Sequence, residues 1–138
     1  MDLQYKLYNE ILDICSKGDN LVEQSKYDEA IYMYLKALDL VPKPKNEWKT
    51  STWIYTALGD TCYIKKDFIV SKKYLLDAID CPEGIENPFI NLRIGESFFE
   101  LGKFKKAKEY LLKAYILDGY AIFYDENDKY FDLIKDEI

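Results

Sequence analysis

Apolar residues recur along this chain at intervals of three and four, the spacing that puts side chains on one face of an α-helix. Near the start, Leu3, Leu7, Ile11, Ile14 and Leu21 form such a face. The register then repeats from three glycines, Gly18, Gly59 and Gly95. Three residues on stand Leu21, Cys62 and Phe98; nine on, Tyr27, Phe68 and Phe104; twelve on, Ala30, Ser71 and Ala107. Sixteen on stand Tyr34, Leu75 and Leu111, and nineteen on, Ala37, Ala78 and Ala114. A helix breaker closes each unit: Pro42, Pro82 and Gly119. The last three columns share one helical stripe, where small residues let two helices approach and large ones fill the space between.

This pattern predicts six helices in three hairpins, at about 3–24, 27–41, 47–65, 67–80, 87–102 and 104–117. Asn46 is the expected cap of the third helix, and Asn87 with Pro88 in the first turn opens the fifth. Residues 119–127 mix apolar and acidic groups. A last helix at about 128–137, with Tyr130, Phe131, Leu133 and Ile134, is expected to cover the exposed end of the third unit.

These columns resemble the tetratricopeptide repeat, a helix-turn-helix unit with a period near 34 residues. The segments carrying the resemblance best are Ala57-Leu58-Gly59-Asp60 with Asp67-Phe68, and Leu101-Gly102-Lys103-Phe104 with Ala107. The spacing departs from that period, at 41 and 36 residues between successive glycines. The excess falls in Pro42-Lys43-Pro44-Lys45-Asn46 and in an early extension of the next helix through Trp48. Ser71 replaces an alanine, and Lys17 stands where the other units have Leu58 and Ile94. The resemblance implies an all-α fold, an α-solenoid of three helix-turn-helix repeats plus a C-terminal capping helix. It makes residues 1–138 one domain: repeat 1 about 3–42, repeat 2 about 47–82, repeat 3 about 87–119 and the cap about 120–138.

Composition narrows the chemistry. The chain has 138 residues, 49% hydrophobic and 32% charged, which is globular rather than disordered. A formal charge of −6 argues against nucleic-acid binding, which draws its affinity from cationic contacts to phosphate. Histidine is absent, which removes imidazole acid-base chemistry, His-ligated metals and Ser-His or Cys-His pairs. Cys15, Cys62 and Cys81 form no metal or dithiol motif and read as free thiols. Asp125-Glu126 and Asp128 are paired carboxylates without the cleft a glycosidase needs. No catalytic, cofactor or metal site is expected. The start, Met1-Asp2-Leu3-Gln4-Tyr5, has an acid where a signal peptide has base, and no stretch reaches membrane-spanning length, so a cytoplasmic protein is expected.

In this repeat class the first helix of each pair lines the concave face. One residue after each glycine stands a carboxylate: Asp19, Asp60 and Glu96. Five after stand Glu23, Ile64 and Glu100, and four after, Val22, Tyr63 and Phe99. Three before stand Cys15, Thr56 and Leu92, and six before, Leu12, Trp53 and Phe89. Asp19, Glu23, Trp53, Asp60, Tyr63, Phe89, Arg93, Glu96, Phe99 and Glu100 are therefore the candidate partner-binding residues. The competing expectations are that the aromatics, Tyr63 and Phe99 first, pack between neighbouring helices and that the carboxylates are plain solvated surface. Repeat proteins that grip the acidic tails of heat-shock chaperones use Lys and Asn on this face. Cys15 and Asp19 stand there instead, with Arg93 the lone base nearby, and this argues for a basic partner.

A finer resemblance lies in Val41-Pro42-Lys43-Pro44-Lys45-Asn46-Glu47-Trp48, Ser51-Thr52-Trp53-Ile54, Cys81-Pro82-Glu83-Gly84-Ile85-Glu86-Asn87-Pro88-Phe89-Ile90 and Ile122-Phe123-Tyr124-Asp125-Glu126-Asn127-Asp128-Lys129-Tyr130-Phe131. These segments look like a group of small bacterial repeat proteins of the toxin-immunity type. What that implies is a cytoplasmic protein that binds a cognate toxin and blocks it; the acidic groove makes that partner basic, the short arc of three repeats favours a small folded domain, and the chain is expected to be a monomer or weak dimer. A scaffold or secretion chaperone, or a peptide-sensing regulator, are the alternatives.

Overall fold

The computed structural model describes residues 3–138; Met1 and Asp2, part of the segment read for a leader, lie outside it. Six helices pair as three antiparallel hairpins: α1 (Tyr5–Glu23) with α2 (Tyr27–Leu40), α3 (Lys49–Ile64) with α4 (Phe68–Ile79), and α5 (Pro88–Glu100) with α6 (Phe104–Asp118). Consecutive hairpins stack through α2 on α3 and α4 on α5. No strand occurs among the described residues.

Each hairpin turns in the same way. The helix ends on a left-handed residue, Ser25 (φ 60), Lys66 (φ 68) or Gly102 (φ 77). The next amide then reaches back over the turn, from Lys26 to the Leu21 carbonyl, from Asp67 to Cys62 and from Lys103 to Phe98, each within 3 Å. These bonds satisfy carbonyls that a helix end otherwise leaves open. The glycine column is where the paired helices touch. A Cβ on Gly18 would lie 2.7 Å from the Tyr34 ring, and one on Gly59 would overlap the Leu75 side chain. Ala30, Ala37, Ala78, Ala107 and Ala114 are fully buried beside it. Ser71, the exception in its column, donates its hydroxyl to the Gly59 carbonyl at 2.7 Å and so remains satisfied inside the core.

Two expectations need correction. Asn46 does not cap the third helix: Lys45–Glu47 forms a 3-10 turn, and α3 starts at Lys49 without a side-chain cap. The cause is Lys45, whose ammonium donates to the carbonyls of Leu38 (2.9 Å) and Val41 (2.6 Å) and ties this loop to the end of α2. The last helix is also short. Its start is capped by Asn127, but α7 covers only Asp128–Asp132, and Lys135–Glu137 is a separate 3-10 turn. Tyr130, Ile134 and Phe123, from the 3-10 turn Gly119–Phe123, are the residues of this segment buried in the core around Leu111 and Ala114. Phe131 and Leu133 pack on it half-buried.

The concave face and its two ends

Helices α1, α3 and α5 lie side by side, and their facing side chains form a shallow trough. Its first part is a cavity of about 200 Å³ between α1 and α3, walled by Ile11, Leu12, Cys15, Asp19, Tyr34, Thr50, Trp53, Ile54 and Ala57. Its middle is a cavity of about 290 Å³ between α3 and α5, bordered by Lys49, Thr52, Trp53, Asp60, Pro82, Glu83 and Phe89 among others. Trp53 separates the two and is 48% exposed. Lys49 stands 5.8 Å over its ring and is ion-paired with Glu83 at 2.9 Å.

The third part of the trough is filled by the chain itself. Arg93 on α5 is the hub. Its Nε donates to Asp60 at 2.8 Å, and its Nη1 donates to Glu96 and Glu126, each at 2.5 Å. The guanidinium lies over the rings of Tyr63 (4.5 Å) and Phe89 (4.8 Å). One cation thus meets three carboxylates, and this sets the proton balance. Burial, together with the neighbouring Glu126 carboxylate, pushes Glu96 up to about 9 against the pull of Arg93. Burial also raises Glu126, but the hydrogen bond from Glu96 and the Arg93 charge more than offset that and hold it below its ordinary value. Glu96 is therefore the protonated partner at neutral pH. Burial works against the Arg93 charge, and its hydrogen bonds to the Asp60 and Glu96 carboxyl groups with the Asp60 charge more than restore it.

The C-terminal segment completes the closure. The Tyr130 hydroxyl meets that of Tyr63 at 2.9 Å, its ring packs edge-on to Phe99, and Lys129 pairs with Glu100 at 3.0 Å. The candidate residues thus fall into groups. Asp19 and Trp53 border the open end, and Asp60 and Phe89 border the middle. Tyr63, Arg93, Phe99 and Glu100 are engaged by residues 126–130. Glu96 does not line open surface; it is fully buried beneath that segment. Glu23 ends α1, exposed and outside both cavities. Glu126, Lys129 and Tyr130 were not among the sequence candidates, nor was Tyr34, whose hydroxyl donates to Asp19 at 2.5 Å.

Residues 90–118, which are α5 and α6, match the family profile of the tetratricopeptide repeat. Solved structures extend the likeness to the whole chain. This is the tetratricopeptide-repeat fold. A first tetratricopeptide domain of Spaghetti (RPAP3), bound to the HSP90 peptide SRMEEVD, aligns with a TM-score of 0.71 at 23% identity, over 93% of this chain and 90% of that one. The type III secretion chaperone SycD of Yersinia enterocolitica, in complex with a peptide of the translocator YopD, gives a TM-score of 0.74 at 13% identity over 93% and 92%. The C-terminal tetratricopeptide-containing domain of a putative FK506-binding protein from Plasmodium falciparum gives 0.74 at 19% over 97% and 90%. No curated protein sequence matches the chain. No helix among the described residues is long and apolar enough to cross a membrane.

Proposed function

We propose that this chain is a non-catalytic protein-binding module that holds a basic, folded partner at the open end of its concave face. In the setting the finer resemblance implies, the partner is a toxin domain and the complex neutralises it in the cytoplasm. The observation that carries the reading is Trp53, a half-exposed aromatic standing between two cavities with Asp19 and Asp60 at their edges. Exposed tryptophan in a concave setting is the composition of binding hot spots. Acidic surroundings raise the capture rate of a basic surface. A peptide laid along all three repeats fits less well, because Glu126 and Tyr130 already occupy the third.

The test begins with the protein encoded beside this one, purified and titrated by biolayer interferometry over a salt series. Trp53→Ala is expected to speed dissociation and cost about 2 kcal/mol or more. Co-expression of the wild-type chain should rescue cells from growth arrest caused by that protein, and the Trp53→Ala chain should rescue them less. Undiminished binding and rescue by Trp53→Ala would move the interface to another face.

A further inference from the structure

We infer that the cavity between α1 and α3 is a socket for one cationic side chain, a lysine or arginine of the partner, with its head on Asp19 and its apolar stem against Leu12 and Trp53. The inference rests on the concave-face reading above and names the chemistry that this end of the trough selects.

The three carboxylates of the repeat column have different fates. Asp60 and Glu96 both meet Arg93. Asp19 has no cation within ion-pair distance among the described residues, yet it is exposed at the edge of a cavity of about 200 Å³ with mostly apolar walls. A neutral donor holds it in place. The Tyr34 hydroxyl donates to its Oδ1 at 2.5 Å, which leaves Oδ2 open to a second donor. Burial first, and then Asp19 itself, push the Tyr34 phenol well above its ordinary value, so it remains a donor at every working pH.

The placement is built into the repeat. Gly18 lets the Tyr34 ring lie where a Cβ would be, 2.7 Å from its Cε1, and the hydroxyl then reaches the very next residue of α1. The same column holds Leu75 and Leu111 in the other repeats, which pack on Gly59 and Gly95 but offer no hydroxyl. Only the first repeat therefore has an oriented carboxylate whose charge is uncompensated. The cavity asks for a ligand with a hydrocarbon stem and a positive head. Its Trp53 wall favours a cation over a neutral polar group, since the ring face attracts positive charge. Lys49 does not supply that charge, since it borders the middle cavity and is paired with Glu83.

The test uses the full chain, ¹⁵N-labelled, titrated by NMR with n-butylguanidinium and with n-butylurea, its neutral counterpart of the same shape. The readouts are the Trp53 indole N–H and the Asp19 and Leu12 amides. Saturable shifts at all three, with the guanidinium bound about tenfold more tightly than the urea, are expected for one charge-assisted contact. Asp19→Asn should bring the two probes to parity. Tyr34→Phe, which keeps the ring on Gly18 and removes only the hydroxyl, should weaken the guanidinium alone. Equal binding of both probes by the wild-type chain would make the cavity a purely apolar contact, and shifts confined to other surfaces would eliminate it; either overturns the socket. Partner binding that still depends on Trp53 would in those cases leave the concave-face reading standing.

Discussion

The two ends of the concave face are built from the same repeat positions and end in opposite states. At the first repeat, Asp19 is held by a neutral hydroxyl and borders the cavity between α1 and α3. At the third, Glu96 is buried and protonated beside an arginine that already serves Asp60 and Glu126. The difference comes from the segment that each repeat has next to it in the chain. After the first comes another hairpin, which stacks through α2 and leaves the inner surface open. After the third comes a twenty-residue segment, 119–138, that folds back across α5 and consumes its polar groups. Repeat position fixes which way a side chain points, and the neighbour fixes whether that direction remains open.

The comparison is sharpest at Arg93. Arg93→Met would leave Asp60 and Glu126 without their shared cation, and a loss of about 3–5 kcal/mol is expected in urea unfolding, as for a buried pair stripped of one partner. Asp19→Asn, which keeps an acceptor for Tyr34 on an exposed surface, should stay within about 0.5 kcal/mol. Near-equal midpoints for the two variants would mean that Arg93 does not hold the closed end.

A smaller effect separates the two carboxylates by pH. Glu96 has a folded value near 9, above its ordinary 4.5, so its contribution is fully present below about 4.5 and fades as pH rises towards 9. Glu126, with a lowered value, has the opposite sign and is fully engaged throughout that window. Stability should therefore fall as pH rises through that window, and Glu96→Gln should flatten the slope. Equal slopes in wild type and variant, read from thermal unfolding at several pH values, would place the proton elsewhere.

The smallest effect is expected at the hydroxyl bridge. Tyr130→Phe removes the hydroxyl that meets Tyr63 and should cost about 1 kcal/mol. Hydrogen exchange should quicken at residues 126–134 and remain unchanged in α1 and α2. Faster exchange at both ends would mean that they are not independent.

The hairpins were legible in the sequence because small, large and small residues recur in one register, and only helix pairs in contact demand that. Pro88 and Asn87 likewise announced α5, and Asn87 accepts from the Ile90 amide at 3.0 Å. The fate of the carboxylates was not legible. Glu126 lies thirty positions beyond Glu96, and no local spacing says which helix a C-terminal segment will cover. Asn46 looked like a cap, but the Lys45 ammonium had a stronger claim on that loop through two carbonyls of the preceding helix end. Tyr34 did leave a signal: it is the lone tyrosine in a column otherwise occupied by leucine, and its hydroxyl is what distinguishes the first repeat.

The protonated Glu96 also changes what the chain carries into an encounter. Counting side chains gives −6, but with Glu96 neutral in the folded state the total becomes −6 + 1 = −5. Folding at neutral pH is thus accompanied by uptake of a hydrogen ion from solvent, and the missing negative charge comes from the closed end of the trough. On the trough itself, among the described residues, the carboxylate left without a cation is then Asp19, so an approaching cationic group meets its local attraction at the first repeat before any contact is made.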